Sequence, residues 1–165
     1  MTHTQTSATY KPILLIFAYI LVITISIEAA SASFDSMRWM NHFMAAFFLV
    51  FSFFKFLDLS AFADSYSTYD IIAARWRGWG LIYPFVEAAL GVSYLTGASP
   101  LFTNIATFLV MGVSSIGVIR SVLRKQRIQC ACLGAVFNLP MSTVTIIEDG
   151  VMIAMSATVI GAMLL

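Results

Sequence analysis

Five stretches of roughly twenty mostly apolar residues dominate the chain, at about 13–30, 40–57, 78–95, 100–119 and 145–165. That is the length an α-helix needs to cross a bilayer, because it rises ~1.5 Å per residue through a hydrocarbon core ~30 Å thick. A water-soluble globule of 165 residues has no means of hiding a chain that is 60% hydrophobic and 10% charged, against a usual charged share of about 25%. Disorder, a collagen-like repeat and a nucleic-acid-binding arm are excluded for the same reason, since each needs more charge or a different bias. The solvent for most of the chain is therefore lipid, and the expected fold is all-α: a multi-pass transmembrane bundle of five helices.

Punctuation supports these boundaries. Ser99-Pro100 reads as an N-cap followed by proline in the first turn, and Thr96-Gly97 as a C-terminal stop. Thr145 and Glu148 have capping-box spacing ahead of the last apolar run. The first run ends at Ala30-Ser31-Ala32, which resembles a signal-peptidase site. Its length, Glu28 just before that site, and Lys11 as the sole charged side chain of the leader favour a retained helix.

The formal net charge is only +1, so the distribution of charge carries more information than its sum. With the N-terminus in the cytoplasm, Lys11, Arg75, Arg77, Arg120, Arg124, Lys125 and Arg127 fall inside, and Arg38 alone falls in an outer loop. Loops 58–77 and 120–144 are thus expected on the cytoplasmic side of a bacterial inner membrane, with the C-terminus outside. The segment from Ser60 to Trp79 mixes aromatic and charged residues as a helix in the headgroup layer would, with Trp76 and Trp79 as interface anchors.

Chemistry concentrates at Cys130-Ala131-Cys132. Two thiols one residue apart either share a soft metal ion or close a small, strained and easily reduced disulfide ring. The basic cluster Arg124, Lys125 and Arg127 just upstream favours thiolate for either role; two small residues in a loop is the bland reading. Glu148 and Asp149 open the last helix, either as a cap that suits the helix dipole or as groups that set the protonation of the cysteines. Glu87, near the middle of the third run, and Lys55, the only basic residue within a spanning run, are expensive in lipid unless paired. They are placed to meet across the bundle, as a structural clasp or as a relay. Met37, Met40 and Met44 recur at helical spacing beside His42, but His42 faces away from that stripe, which reads as apolar filler. Gly91, and Ala157 with Gly161, read as close helix contacts.

Lys55-Phe56-Leu57-Asp58, then Pro84-Phe85-Val86-Glu87 with Leu90-Gly91, resembles the DoxX/MauE group of small bacterial membrane proteins. The cysteine loop resembles the Cys-x-Cys-x-Gly element of the methylamine-utilisation MauE branch. The resemblance covers about 40–165 and implies a four-helix DoxX-like core at 40–165, preceded by a polar leader at 1–11 and an N-terminal helix and outer loop at 12–39. It also implies thiol–disulfide chemistry in support of disulfide-rich periplasmic enzymes such as methylamine dehydrogenase. Cys130 and Cys132 would then be the redox pair, and Lys55, Asp58, Pro84 and Glu87 motif positions of unassigned role. One cysteine pair makes a thioredoxin-like partner necessary, and no organic cofactor or nucleic acid is expected. Two alternatives stand beside this reading: a mercury or copper transport protein receiving its ion on the same cysteines from a soluble metal-binding protein, and a structural membrane subunit.

Overall fold

The computed structural model describes residues 6–124, 129–130, 139–140 and 143–165, with side chains described over 11–124 and 146–165. Among these residues the chain forms six helices: α1 (Thr6–Ala29), α2 (Ser36–Phe56), α3 (Leu59–Tyr66), α4 (Arg77–Thr96), α5 (Pro100–Leu123) and α6 (Thr143–Leu164). A two-residue antiparallel pair, β1 (Gln129–Cys130) with β2 (Leu139–Pro140), lies between α5 and α6, with Cys130 opposite Leu139. The protein is a multi-pass helical membrane protein. α1, α2, α5 and α6 are long and apolar enough to cross a bilayer.

Four of the five expected spans thus have the length and composition of a membrane-crossing helix. α4 has spanning length, 20 residues, but is not among those four. Its buried face carries Tyr83, Glu87 and Tyr94, which lower its apolar content while being shielded from lipid by neighbouring helices. The interfacial helix is also shorter than expected. α3 has eight residues and turns Phe62, Ala63 and Tyr66 inward against the bundle, so its apolar face meets protein and not lipid. Trp76 is exposed, as an anchor would be, whereas Trp79 packs edge-on against Tyr83.

Two helix pairs, α2 with α4 and α5 with α6, make the most extensive packing, and α1 lies along α2. Between lipid-bathed helices there is no hydrophobic drive, so close backbone approach and polar contacts must hold them. Gly91 supplies the first: a Cβ there would stand 2.8 Å from Leu49 Cγ. The Tyr94 hydroxyl supplies the second, bonding Asn104 and Thr107 of α5 at 3.0 Å each. Phe17 of α1 meets Phe43, Phe47 and Phe51 of α2, which gives that pair an aromatic seam. Gly161, by contrast, has open space where a Cβ would go, so the expected contact at Ala157 and Gly161 does not form within the chain.

The ends are fixed by charge and capping. Glu28, 1% exposed, accepts hydrogen bonds from both Arg38 Nε and its terminal nitrogen and from the backbone N–H of Asp35, closing the α1–α2 turn. Asp35 caps α2 through the N–H groups of Met37 and Arg38. Gly97 ends α4 in the left-handed conformation (φ 69°), as the Thr96-Gly97 stop anticipates. Ser99 precedes α5 but at φ 44° and without a side-chain cap bond, so proline alone marks that start.

Replacing Gly91 by alanine drives a methyl group into Leu49 and is expected to lower stability by about 1–3 kcal/mol. Gly161→Ala should change it by less than ~0.5 kcal/mol. Thermal unfolding of the two variants in detergent micelles checks the contrast.

Candidate functional site: a charged chamber inside the bundle

Lys55 sits in the last turn of α2 and Glu87 midway along α4. Because these helices pack closely, the lysine stem reaches inward, and Nζ donates to both Glu87 carboxylate oxygens at 2.5 Å. Both side chains are buried, 6% and 2% exposed. Nζ also lies 4.9 Å from the Tyr83 ring centre and 5.3 Å from that of Phe62, so aromatic faces share the cation with the carboxylate. An ion pair stripped of water survives only with such additional partners.

The pair opens onto a small cavity, about 30 Å³, space on the scale of one or two water molecules. Its walls bring together four helices besides α2: Phe62 and Tyr66 from α3, Tyr83 and Glu87 from α4, Met111, Ser114 and Val118 from α5, and Glu148 and Asp149 from α6. The Ser115 hydroxyl donates to Asp149 Oδ2 at 3.3 Å, tying α5 to α6 at the chamber. Three carboxyl groups and one lysine thus surround a single water-sized space. The arrangement places several groups able to hold a proton around one space that the surrounding helices shield from lipid.

Glu148 and Asp149 therefore stand elsewhere than the capping pattern suggests. α6 begins at Thr143, two residues before Thr145, which puts Glu148 in the second turn. There it is 3% exposed and Asp149 8%, both inside the bundle. The local threonine–glutamate spacing matched a cap, but the helix start had already passed it.

Asp58 does not join the chamber. It is exposed and caps α3, its Oδ1 accepting from the Ala61 N–H at 2.9 Å. Its role is to start the short helix that carries Phe62 and Tyr66 under Lys55. Arg77 and Asp64 pair at 2.6 Å where α4 begins, and the guanidinium holds the Asp64 carboxyl below the usual aspartate range. That contribution is present above the ordinary aspartate pKa and lost as pH falls below the lowered one. Pro84, buried in α4, removes one i→i−4 bond a turn before Glu87.

Cys132, Lys125 and Arg127 lie outside the described residues, and of Cys130 only the backbone is described, in β1. Among the described residues no three His, Cys, Asp or Glu side chains cluster as a metal site would need. Met44 is fully buried core filler in α2. Tyr66, Tyr83 and Ser114 carried no sequence signal, since hydroxyl and aromatic residues are ordinary in apolar helices and only the packing aims them at one point.

Breaking the buried pair from one side, by Glu87→Gln or Lys55→Met, leaves a charge uncompensated and is expected to cost about 3–5 kcal/mol. The double variant Lys55→Met/Glu87→Leu should regain most of that loss. Unfolding in micelles, arranged as a double-mutant cycle, measures the coupling.

A model of the family described as methylamine utilisation protein MauE matches residues 11–164. No curated protein and no solved structure matches the chain. The match takes in α1 from residue 11, the other five helices, the chamber and the cysteine segment, and the chain belongs to the MauE family of methylamine-utilisation membrane proteins.

Proposed function

We propose that this chain is a membrane accessory protein of thiol–disulfide exchange, acting through Cys130 and Cys132 to support maturation of disulfide-containing periplasmic enzymes such as methylamine dehydrogenase. Family membership supports the pathway. The observation that carries the chemistry is the position of Glu148 and Asp149, in the second turn of the helix that follows the cysteine segment and in the wall of the Lys55–Glu87 chamber.

In the proposed exchange a Cys130 or Cys132 thiolate attacks the disulfide of a thioredoxin-like partner, forming a mixed disulfide and releasing a partner thiolate. The second cysteine then loses its proton to the Glu148 or Asp149 carboxylate and displaces the partner's remaining sulfur. The chain ends as the Cys130–Cys132 disulfide and the partner as a dithiol. Two electrons pass to the partner, and the protons go to its two sulfurs by way of the carboxylates. The cluster Arg124, Lys125 and Arg127 favours the attacking thiolate. The excess of Lys and Arg in loops 58–77 and 120–144 favours an inner-membrane orientation with a cytoplasmic N-terminus and α4 crossing with the others. The cysteine segment then lies on the cytoplasmic side, so service to periplasmic enzymes requires the thioredoxin-like partner.

Replacing the resolving cysteine by serine should trap the mixed disulfide, visible as a reducible adduct with the partner. Replacing the attacking one should prevent the adduct, and either change should abolish enzyme maturation. Glu148→Gln with Asp149→Asn should leave the adduct competent but slow its resolution by on the order of a hundredfold. Maturation at the wild-type level by a variant lacking both cysteines would refute the proposal.

A further inference from the structure

A second site lies outside the chamber, where the chain between α3 and α4 folds onto the end of α5. Gly117 permits this: a Cβ there would stand 2.7 Å from the Tyr69 carbonyl oxygen, so only glycine lets the backbone at residues 69–70 rest on the helix. The contact encloses a pocket of about 270 Å³ whose polar lining is Thr68, Asp70, Arg75, Arg120, Ser121 and Arg124. Three guanidinium groups thus face one carboxylate. Asp70 Oδ1 is already engaged by the N–H groups of Ile72 and Ala73, at 2.9 and 2.8 Å. None of the three arginines belongs to an ion pair among the described residues.

Arg120 and Arg124 also form one wall of a neighbouring groove of about 450 Å³, otherwise lined by Ile116, Ile119 and Leu123. Those three side chains are 56%, 43% and 78% exposed. The two spaces therefore share their basic wall, one polar and cationic, the other apolar. Both sit at the final turns of α5, a 24-residue membrane-crossing helix, where hydrocarbon gives way to headgroups.

We propose that this is a binding site for an anionic phospholipid. Its phosphate lies among Arg75, Arg120 and Arg124, with the Thr68 and Ser121 hydroxyls as further donors, and an acyl chain runs along Ile116, Ile119 and Leu123. Guanidinium forks match phosphate oxygens in pairs, and the excess positive charge selects a lipid with net negative charge over a zwitterionic one. The apolar groove continuing from the cationic pocket requires an amphiphile, which free phosphate is not.

Native mass spectrometry of the full chain in detergent, titrated with phosphatidylglycerol, phosphatidylcholine or inorganic phosphate, tests this. Phosphatidylglycerol should bind in preference to phosphatidylcholine, and the preference should weaken as salt is raised. Each of Arg75→Gln, Arg120→Gln and Arg124→Gln should weaken it by about tenfold, the usual scale for a lost charged hydrogen bond. Arg124→Lys, which keeps charge at an exposed position and loses the fork, should recover part of the loss, and it guards against misfolding of the glutamine variants. Ile119→Ser should weaken lipid binding through the groove alone. Equal binding of the two lipids, or phosphatidylglycerol binding unchanged by the arginine substitutions, would overturn the proposal. So would inorganic phosphate that displaces the lipid while Ile119→Ser has no effect, since the site would then be one for the free anion.

Discussion

The hydrogen-bonded ion pair between Lys55 and Glu87 joins α2 to α4 in the interior of a bundle that lipid surrounds. Either charge alone would be costly there, and the pair itself survives desolvation because Tyr83 and Phe62 present their faces to the ammonium. Much of the neighbouring structure serves that requirement. Asp58 starts α3 so that Phe62 arrives beneath the lysine. Gly80, whose Cβ would stand 3.0 Å from Ala63, lets α4 approach α3 closely enough for Tyr83 to arrive beside it.

α5 and α6 close the chamber from the other side and add what the pair alone lacks. Ser115 and Asp149 link these two helices, and Glu148 and Asp149 give Glu87 two acidic neighbours around one small space. The cysteine segment connects the same two helices. In the proposed exchange, a proton released in that segment goes to these carboxylates, which stand in the second turn of α6.

The helices were legible in the sequence because hydrocarbon imposes a length, and apolar runs of that length have few other uses. Lys55 and Glu87 stood out for the same reason, as charges in runs that should hold none. The reading failed where three-dimensional register decides. Glu28 and Arg38 look like a helix-end acid and a loop base, yet they form a forked contact that closes α1 onto α2. Glu148 sat at capping-box spacing, but a helix start two residues earlier turned it inward. The polar residues of α4 are dispersed in sequence, and only winding it into a helix gathers Tyr83, Glu87 and Tyr94 on the buried side. Gly117 gave no local sign at all, because the backbone it accommodates is some fifty residues away in sequence.

The central claim is that Lys55 is held within the bundle by Glu87. Its direct test is the rate at which a small membrane-permeant amine reagent modifies Lys55 in the intact protein, followed by peptide mass spectrometry with exposed Lys11 as the internal reference. The account predicts that Lys55 reacts far more slowly than Lys11 and that Glu87→Ala removes much of that protection. Equal rates at the two lysines, unaltered by the change at Glu87, would contradict it.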